Sequence, residues 1–301
     1  MRAETSVAKE QVMSYDGTSI GYESFGDGPG VVLVQGAMGT ARNFHQLALA
    51  MSDRFKVYLP DRRGRGMSTR PYDAQHSIQN DVEDLRCLIE QTGARYLFGL
   101  SSGAMIVLES LRRGLPVERA AVYEPPFYLG GMASHLIHRF NTQVEREQLD
   151  DALVTAMRIV ELGPRLLRFL PQCLLRVGAA YALRADGRRS TSYASLRELI
   201  PAMRYDFSVV ASMNEHLHDL RTVNIRVLLM GGDRSPDYLK NALVALKAAL
   251  PNADNITLAG ADHSGPWNED LKGKPGQVGS VLKEFFAASP TSNVAHQKWN
   301  L

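Results

Sequence analysis

The sequence predicts an α/β fold, a mostly parallel eight-stranded sheet flanked by helices, carrying an inserted all-helical lid. Three observations predict it. Short β-branched runs alternate with amphipathic segments through the first half. The strand signal disappears from about Tyr128 to Asp219, and strand-helix alternation resumes at Arg226.

Taken in order, strands are expected at 9–14, 18–25, 31–35, 55–60, 95–100 and 118–123. Between them, Ala41 to Met51, Ile78 to Thr92 and Ser102 to Arg113 space their apolar residues as helices do. The third of these stops at Gly114 before Pro116. Gly-Pro, Leu-Pro and Asp-Gly-Arg-Arg steps then break the lid into several short helices. A strand over Arg226 to Met230, a helix after Pro236, a strand near Asn255 to Leu258 and a closing helix around Gln277 to Phe286 complete the pattern. The domain boundaries that follow are 1–127 with 220–288 for the core, 128–219 for the lid and 289–301 for a polar tail expected to pack loosely.

Composition narrows the function. The 34 Lys+Arg nearly cancel the 32 Asp+Glu among 301 residues, so no overall field favours nucleic acid or an anionic membrane. Met1 to Glu10 lacks the apolar core of a signal peptide, and no apolar run approaches the ~18 residues of a membrane span. A soluble, cytoplasmic protein acting on a small-molecule substrate is expected. Cys87 and Cys173 sit far apart in apolar stretches and are expected to be buried thiols. No metal-ligand cluster or dinucleotide fingerprint occurs, so neither a metal nor an organic cofactor is expected.

The chemistry centres on Tyr96-Leu97-Phe98-Gly99-Leu100-Ser101-Ser102-Gly103, a strand running into a G-x-S-x-G turn and then a helix. Such a turn holds its serine in strained backbone geometry, and side chains at Gly99 and Gly103 would collide with neighbouring backbone. Ser101 is thereby presented at a helix N-terminus, where amide N–H groups favour developing negative charge.

Together with Gln35-Gly36-Ala37-Met38-Gly39, Asp61-Arg62-Arg63-Gly64-Arg65-Gly66-Met67-Ser68 and the late Gly260-Ala261-Asp262-His263, this motif resembles the α/β-hydrolase superfamily from about Tyr15 to Ala288. The resemblance implies an oxyanion hole from the N–H groups of Ser102 and Ala37, a general base at His263 and a structural role for the Asp61 to Ser68 segment. The chain departs from the pattern with Gln35 where His-Gly is usual, which implies altered packing of that loop without loss of chemistry. The serine also argues against dehalogenase chemistry, which needs a carboxylate there. Of the other histidines, His45, His76, His216, His218 and His296 fall in polar helix or tail settings, and His135 and His138 at the lid entrance.

The acid partner of His263 has two candidates. The resemblance implies a position after the seventh strand, where Asp233 stands in Gly231-Gly232-Asp233-Arg234-Ser235-Pro236. Counting back from Pro251 puts the usual position nearer Ser235. Glu124 ends the sixth strand 23 residues after Ser101, and some branches of the superfamily, haloalkane dehalogenases among them, take their acid from this strand end. Pro125 and Pro126 would fix its direction. For the substrate, Met38, Phe127, Tyr128 and Phe140 are candidates for an apolar pocket above Ser101. The lid also carries eight arginines between Gly163 and Arg204 against Asp186 and Glu198, read as a solvated face or as a means of recognising an anionic group. The function expected is hydrolysis of a carboxylic ester or lactone of a small to medium apolar molecule. A cofactor-free lyase or cyclase, or a ligand-binding protein with little turnover, are the alternatives on the same scaffold.

Overall fold

The structure is a computed structural model that describes residues 7–161, 170–186 and 193–288. The expected tail at 289–301, and Leu166, Leu167 and Phe169 of the expected lid, lie outside the described residues. Eight strands form one sheet: β1 Ala8–Met13, β2 Ser19–Phe25, β3 Gly30–Val34, β4 Lys56–Pro60, β5 Tyr96–Leu100, β6 Arg119–Tyr123, β7 Arg226–Gly232 and β8 Ala253–Leu258. Their order is β1-β2-β4-β3-β5-β6-β7-β8. β2 runs against both of its neighbours, and the pairs from β4 through β8 are all parallel.

Burial follows from this topology. Strands covered on both faces need apolar residues on both, and every residue of β3, β5 and β6 is buried. β1 is the edge and carries Lys9 and Glu10 in a mostly exposed strand, a charge pattern that discourages pairing with a second chain.

Helices α1 His45–Met51, α2 Ile78–Thr92, α3 Ser102–Arg112, α8 Asp237–Ala249 and α9 Pro275–Ala287 flank the sheet. One apolar layer packs α2 and α3 on the sheet through Val82, Leu85, Ile106 and Val107. A second packs α1 and α9 on the other face through Leu47, Met51, Val281 and Phe285. Residues 41–44 form a 3₁₀ turn before α1 rather than its first turn, because the Thr40 backbone N–H takes the Asn43 side chain at 2.9 Å and holds the chain in the tighter winding.

Between β6 and β7, four α-helices are inserted among the described residues: α4 Ser134–Glu145, α5 Leu149–Val160, α6 Gln172–Asp186 and α7 Leu196–Asn214. They share a small core of their own that includes Phe140, Ala152, Ile159, Leu183 and Phe207. Ser195 and Glu198 form a capping box that starts α7. Cys173 is exposed, contrary to the expectation of burial. It lies in the first turn of α6 beside Leu174, which with Val177 and Tyr181 is also exposed, so apolar composition there does not mark an inward face. No helix among the described residues is long and apolar enough to cross a membrane.

The β5 to α3 turn requires close backbone approach. A Cβ at Gly103 would lie 2.4 Å from the Gln35 carbonyl oxygen and 2.5 Å from that of Val34. Neither backbone atom can move aside without disturbing the end of β3. Gly103→Ala is expected to cost about 1–3 kcal/mol and to lower Tm by about 3–10 °C in a thermal melt. A Tm within 1 °C of the parent would contradict the close approach.

Candidate active site

Ser101 follows β5 directly and adopts φ 55° and ψ −122°, a region that costs a non-glycine residue about 1–3 kcal/mol. Its N–H still bonds the Tyr123 carbonyl at 2.9 Å, so the β5–β6 ladder pins the strained residue from below. Ser102 starts α3, and Ser102 and Ala37 border the same cavity as Ser101.

Glu124 is the residue after β6 and is fully buried. Its N–H bonds the Met230 carbonyl at 3.0 Å, and φ 48° turns its side chain out of the strand direction. One carboxylate oxygen accepts the Gly232 N–H at 2.7 Å and the Ser235 hydroxyl. The other lies 2.8 Å from His263 Nδ1. A carboxylate on Nδ1 fixes that nitrogen as the protonated one, leaving Nε2 for proton exchange. The His263 loop follows β8 and is anchored by the Tyr123 hydroxyl, which donates to the Asp262 carbonyl at 2.8 Å. Gly232 lets this loop approach, since a Cβ there would lie 2.2 Å from the Ala261 carbonyl oxygen.

Of the two acid candidates, the structure therefore brings Glu124 to His263. Asp233 lies one residue beyond the end of β7 and is exposed, its N–H bonded to the Leu258 carbonyl at 3.1 Å. Ser235, at the place where the resemblance puts the usual acid, donates its hydroxyl to Glu124 instead. The end of β7 and the turn after it thus supply partners for the carboxylate that follows β6.

The cavity above Ser101 measures about 140 Å³ and is bordered by Met38, Tyr128, Met132, Val160, Met203, Phe207, Tyr238, His263 and Trp267, among others. Met38 and Tyr128 stand where the pocket was expected. Phe127 and Phe140 do not: Phe127 is buried in the core between the sheet and its helices, and Phe140 packs edge-on against Phe207 inside the helical insertion. Both side chains are drawn away from the cavity by the apolar layers they complete.

Two tyrosines seat the insertion on the core. Tyr128 and Tyr238 stack with centroids 5.3 Å apart, and their hydroxyls donate to the carbonyls of Ile159 and Val160 at 2.9 and 2.8 Å. These are carbonyls of the last turn of α5, which would otherwise lack helical partners. Burial pushes the Tyr128 hydroxyl up to about 12, so it remains a donor across the neutral range.

Asp206, which borders the cavity, anchors a charge network that the sequence alone does not reveal. Asp206 of α7 is buried with Arg62 and Arg65. Arg62 Nη1 lies 2.6 Å from Asp206 Oδ1 and Arg65 Nη2 lies 2.8 Å from Oδ2. Burial acts to raise the Asp206 pKa, but the Arg65 and Arg62 guanidiniums outweigh it and hold the carboxyl well below its usual range. Arg62 reaches on to Asp81 at 3.6 Å, and Asp81 to His76 at 2.9 Å. His76 is thus buried rather than in the polar setting expected of it, because Asp81 and the Tyr205 ring enclose it. The signal available was a lone carboxylate among Met203, Phe207 and Val210 on an otherwise apolar helix face.

Of the eight arginines between Gly163 and Arg204, the described ones, Arg176, Arg184, Arg197 and Arg204, do not border the cavity. Arg176 pairs with Asp150, and Arg204 covers the Tyr72 ring. Arg165, Arg168, Arg188 and Arg189 lie outside the described residues. Among the described residues no group of three or more His, Cys, Asp or Glu is arranged to hold a metal ion.

The family model of the alpha/beta hydrolase family matches residues 31–272, which span β3, the strained serine, Glu124, the insertion and His263. The chain belongs to the alpha/beta hydrolase family. It is similar to a solved alpha/beta hydrolase from Sphaerobacter thermophilus DSM 20745, 28% identical with a TM-score of 0.74, over 92% of this chain and 100% of that one. A thermophilic esterase from Thermogutta terrifontis shares the fold at 16% identity and a TM-score of 0.66, over 93% of this chain and 98% of its own. An uncharacterized hydrolase of Bacillus subtilis (strain 168), YraK, is 32% identical over 96 residues, 31% of this chain. The chain spans 35% of that relative's length in the match.

The two carboxylates separate cleanly by experiment. Glu124→Gln is expected to slow labelling by a fluorophosphonate about 10³–10⁴-fold, since a carboxamide cannot stabilise an imidazolium. Asp233→Asn is expected to label within 2-fold of the parent, and a large loss there would contradict the geometry.

Proposed function

We propose that this alpha/beta hydrolase is a serine hydrolase that cleaves a carboxylic ester or lactone of a small, uncharged, apolar molecule through an acyl-enzyme. The observation that carries this reading is the 2.8 Å contact between His263 Nδ1 and a wholly buried Glu124, with His263 and the strained Ser101 bordering one cavity. Ser101 Oγ attacks the carbonyl carbon as His263 Nε2 takes its proton. The oxyanion is received by the N–H groups of Ala37 and Ser102, a type of stabilisation whose loss typically costs 10²–10³ in rate per donor. Collapse expels the alcohol, which His263 protonates. Water, deprotonated by the same nitrogen, then releases the acid and restores Ser101. Throughout, Glu124 orients the ring and offsets its positive charge.

The lining supports the substrate class. No lysine or arginine borders the cavity among the described residues, and Asp206 is already committed to two guanidiniums. Burying an unpaired substrate charge there would be costly. Apolar cavities of ~150 Å³ accept a benzene-sized group, which suits a short acyl chain. The protein as an esterase or lactonase acts on a small-molecule substrate and needs neither a metal nor an organic cofactor for these steps.

Intact mass after treatment with a fluorophosphonate tests the reading. One adduct on the parent, none on Ser101→Ala, labelling of His263→Ala slowed at least about 10³-fold, and turnover of p-nitrophenyl butyrate above that of the palmitate are expected. A parent that takes no adduct and hydrolyses no ester would overturn it in favour of lyase or cyclase chemistry, or of ligand binding.

A further inference from the structure

The Asp206 network touches both segments that would receive the oxyanion. From α7, Asp206 Oδ1 accepts the Ser102 hydroxyl at 2.6 Å and Arg62 Nη1 at 2.6 Å. Arg62 Nη1 also lies 3.1 Å from the Ser102 hydroxyl and 3.4 Å from the Gln35 carbonyl. Asp206 Oδ2 accepts Arg65 Nη2 at 2.8 Å, and Arg65 Nη1 reaches the carbonyls of Gly36 and Gly39 at 3.2 and 3.4 Å. Those carbonyls bracket Ala37 and Met38, and Met38 has φ 59°, so this loop is held in a conformation it would not adopt unaided. Gln35, which stands in place of the usual histidine, adds no support: its buried side-chain N and O have no hydrogen-bond partner.

We propose that Asp206 is a positioning residue which, through Ser102 on one side and Arg65 on the other, sets the two oxyanion-receiving N–H groups at their working separation. The proposal rests on the serine-hydrolase reading. One carboxylate on the helical insertion braces the first residue of α3 and the loop after β3 together. The insertion is then part of the oxyanion site and not only its roof. Arg65 replaces, from the segment after β4, the support that the loop lacks at Gln35. A misplacement of about 1 Å in such a site costs on the order of 10²-fold in rate, and the loss falls on the transition state, where the oxyanion exists, rather than on substrate binding.

The experiment compares steady-state hydrolysis of p-nitrophenyl butyrate and inhibition by butylboronic acid, whose tetrahedral adduct with serine imitates the oxyanion, with inhibition by butyramide, a ground-state ligand. Asp206→Asn is expected to lower kcat about 100-fold with KM within 3-fold, and to weaken the boronic acid to a similar degree while leaving the amide unchanged. Should Asp206→Asn not fold, Ser102→Ala and Arg65→Lys serve. The first removes one bond to Asp206 while keeping the Ser102 N–H, and the second keeps the charge but cannot span both carbonyls. Each is expected to lower kcat at least 10-fold at unchanged KM. Folded variants that keep the parent kcat, or that lose only KM, would overturn the proposal. A parent without ester turnover would instead overturn the hydrolase reading on which it rests.

Discussion

Ser101 can hold φ 55° and ψ −122° only because β5, the start of α3 and the loop after β3 meet backbone to backbone at Gly99 and Gly103. That steric constraint fixes where the hydroxyl stands, and the rest of the site is arranged around it. The strain is opposed by ladder bonds that carry on past the strand ends, Ser101 N–H to the Tyr123 carbonyl and Glu124 N–H to the Met230 carbonyl. The same end of the central strands thereby sets serine and carboxylate in fixed relation. Parallel strands buried on both faces, as β5 and β6 are, give these bonds a rigid support.

Electrostatics divides the site into two compartments. Around His263, one buried carboxylate is satisfied by a backbone N–H, a hydroxyl and the ring, so its charge is available to the imidazole without being exposed to water. Around Asp206, two guanidiniums neutralise a second buried carboxylate and leave it unavailable to a ligand. The cavity they share is lined mostly by apolar residues although Asp206 and His263 border it. Tyr128 and Tyr238 close it from the side by completing the last turn of α5.

Features encoded by contiguous residues were legible in the sequence. The Gly99 to Gly103 turn between a strand and a helix, the alternation of elements and the helical insertion are all local patterns, and the structure follows them closely. The sequence narrows the partner of His263 to Glu124 and Asp233 without choosing between them, because the choice depends on how far β7 runs before its turn. β7 continues to Gly232, which leaves Asp233 at the surface and turns Gly232 and Ser235 toward Glu124. The sequence does not separate Phe127 and Phe140 from the pocket residues, because apolar periodicity cannot distinguish a side chain facing a cavity from one facing a neighbouring helix. Asp206, Arg62 and Arg65 are not legible as a unit because Asp206 is 144 residues from Arg62 and the pairing exists only after the insertion has docked.

The central claim is that ester cleavage passes through an acyl group on Ser101, and partitioning of that group tests it most directly. Phenyl butyrate and p-nitrophenyl butyrate would be hydrolysed in the presence of methanol and the ratio of methyl butyrate to butyrate measured for each. A shared acyl-enzyme predicts the same ratio from both esters, with the butyryl mass found on the peptide that contains Ser101 when the reaction is quenched. Ratios that differ with the leaving group, and no acyl mass on that peptide, would contradict the account.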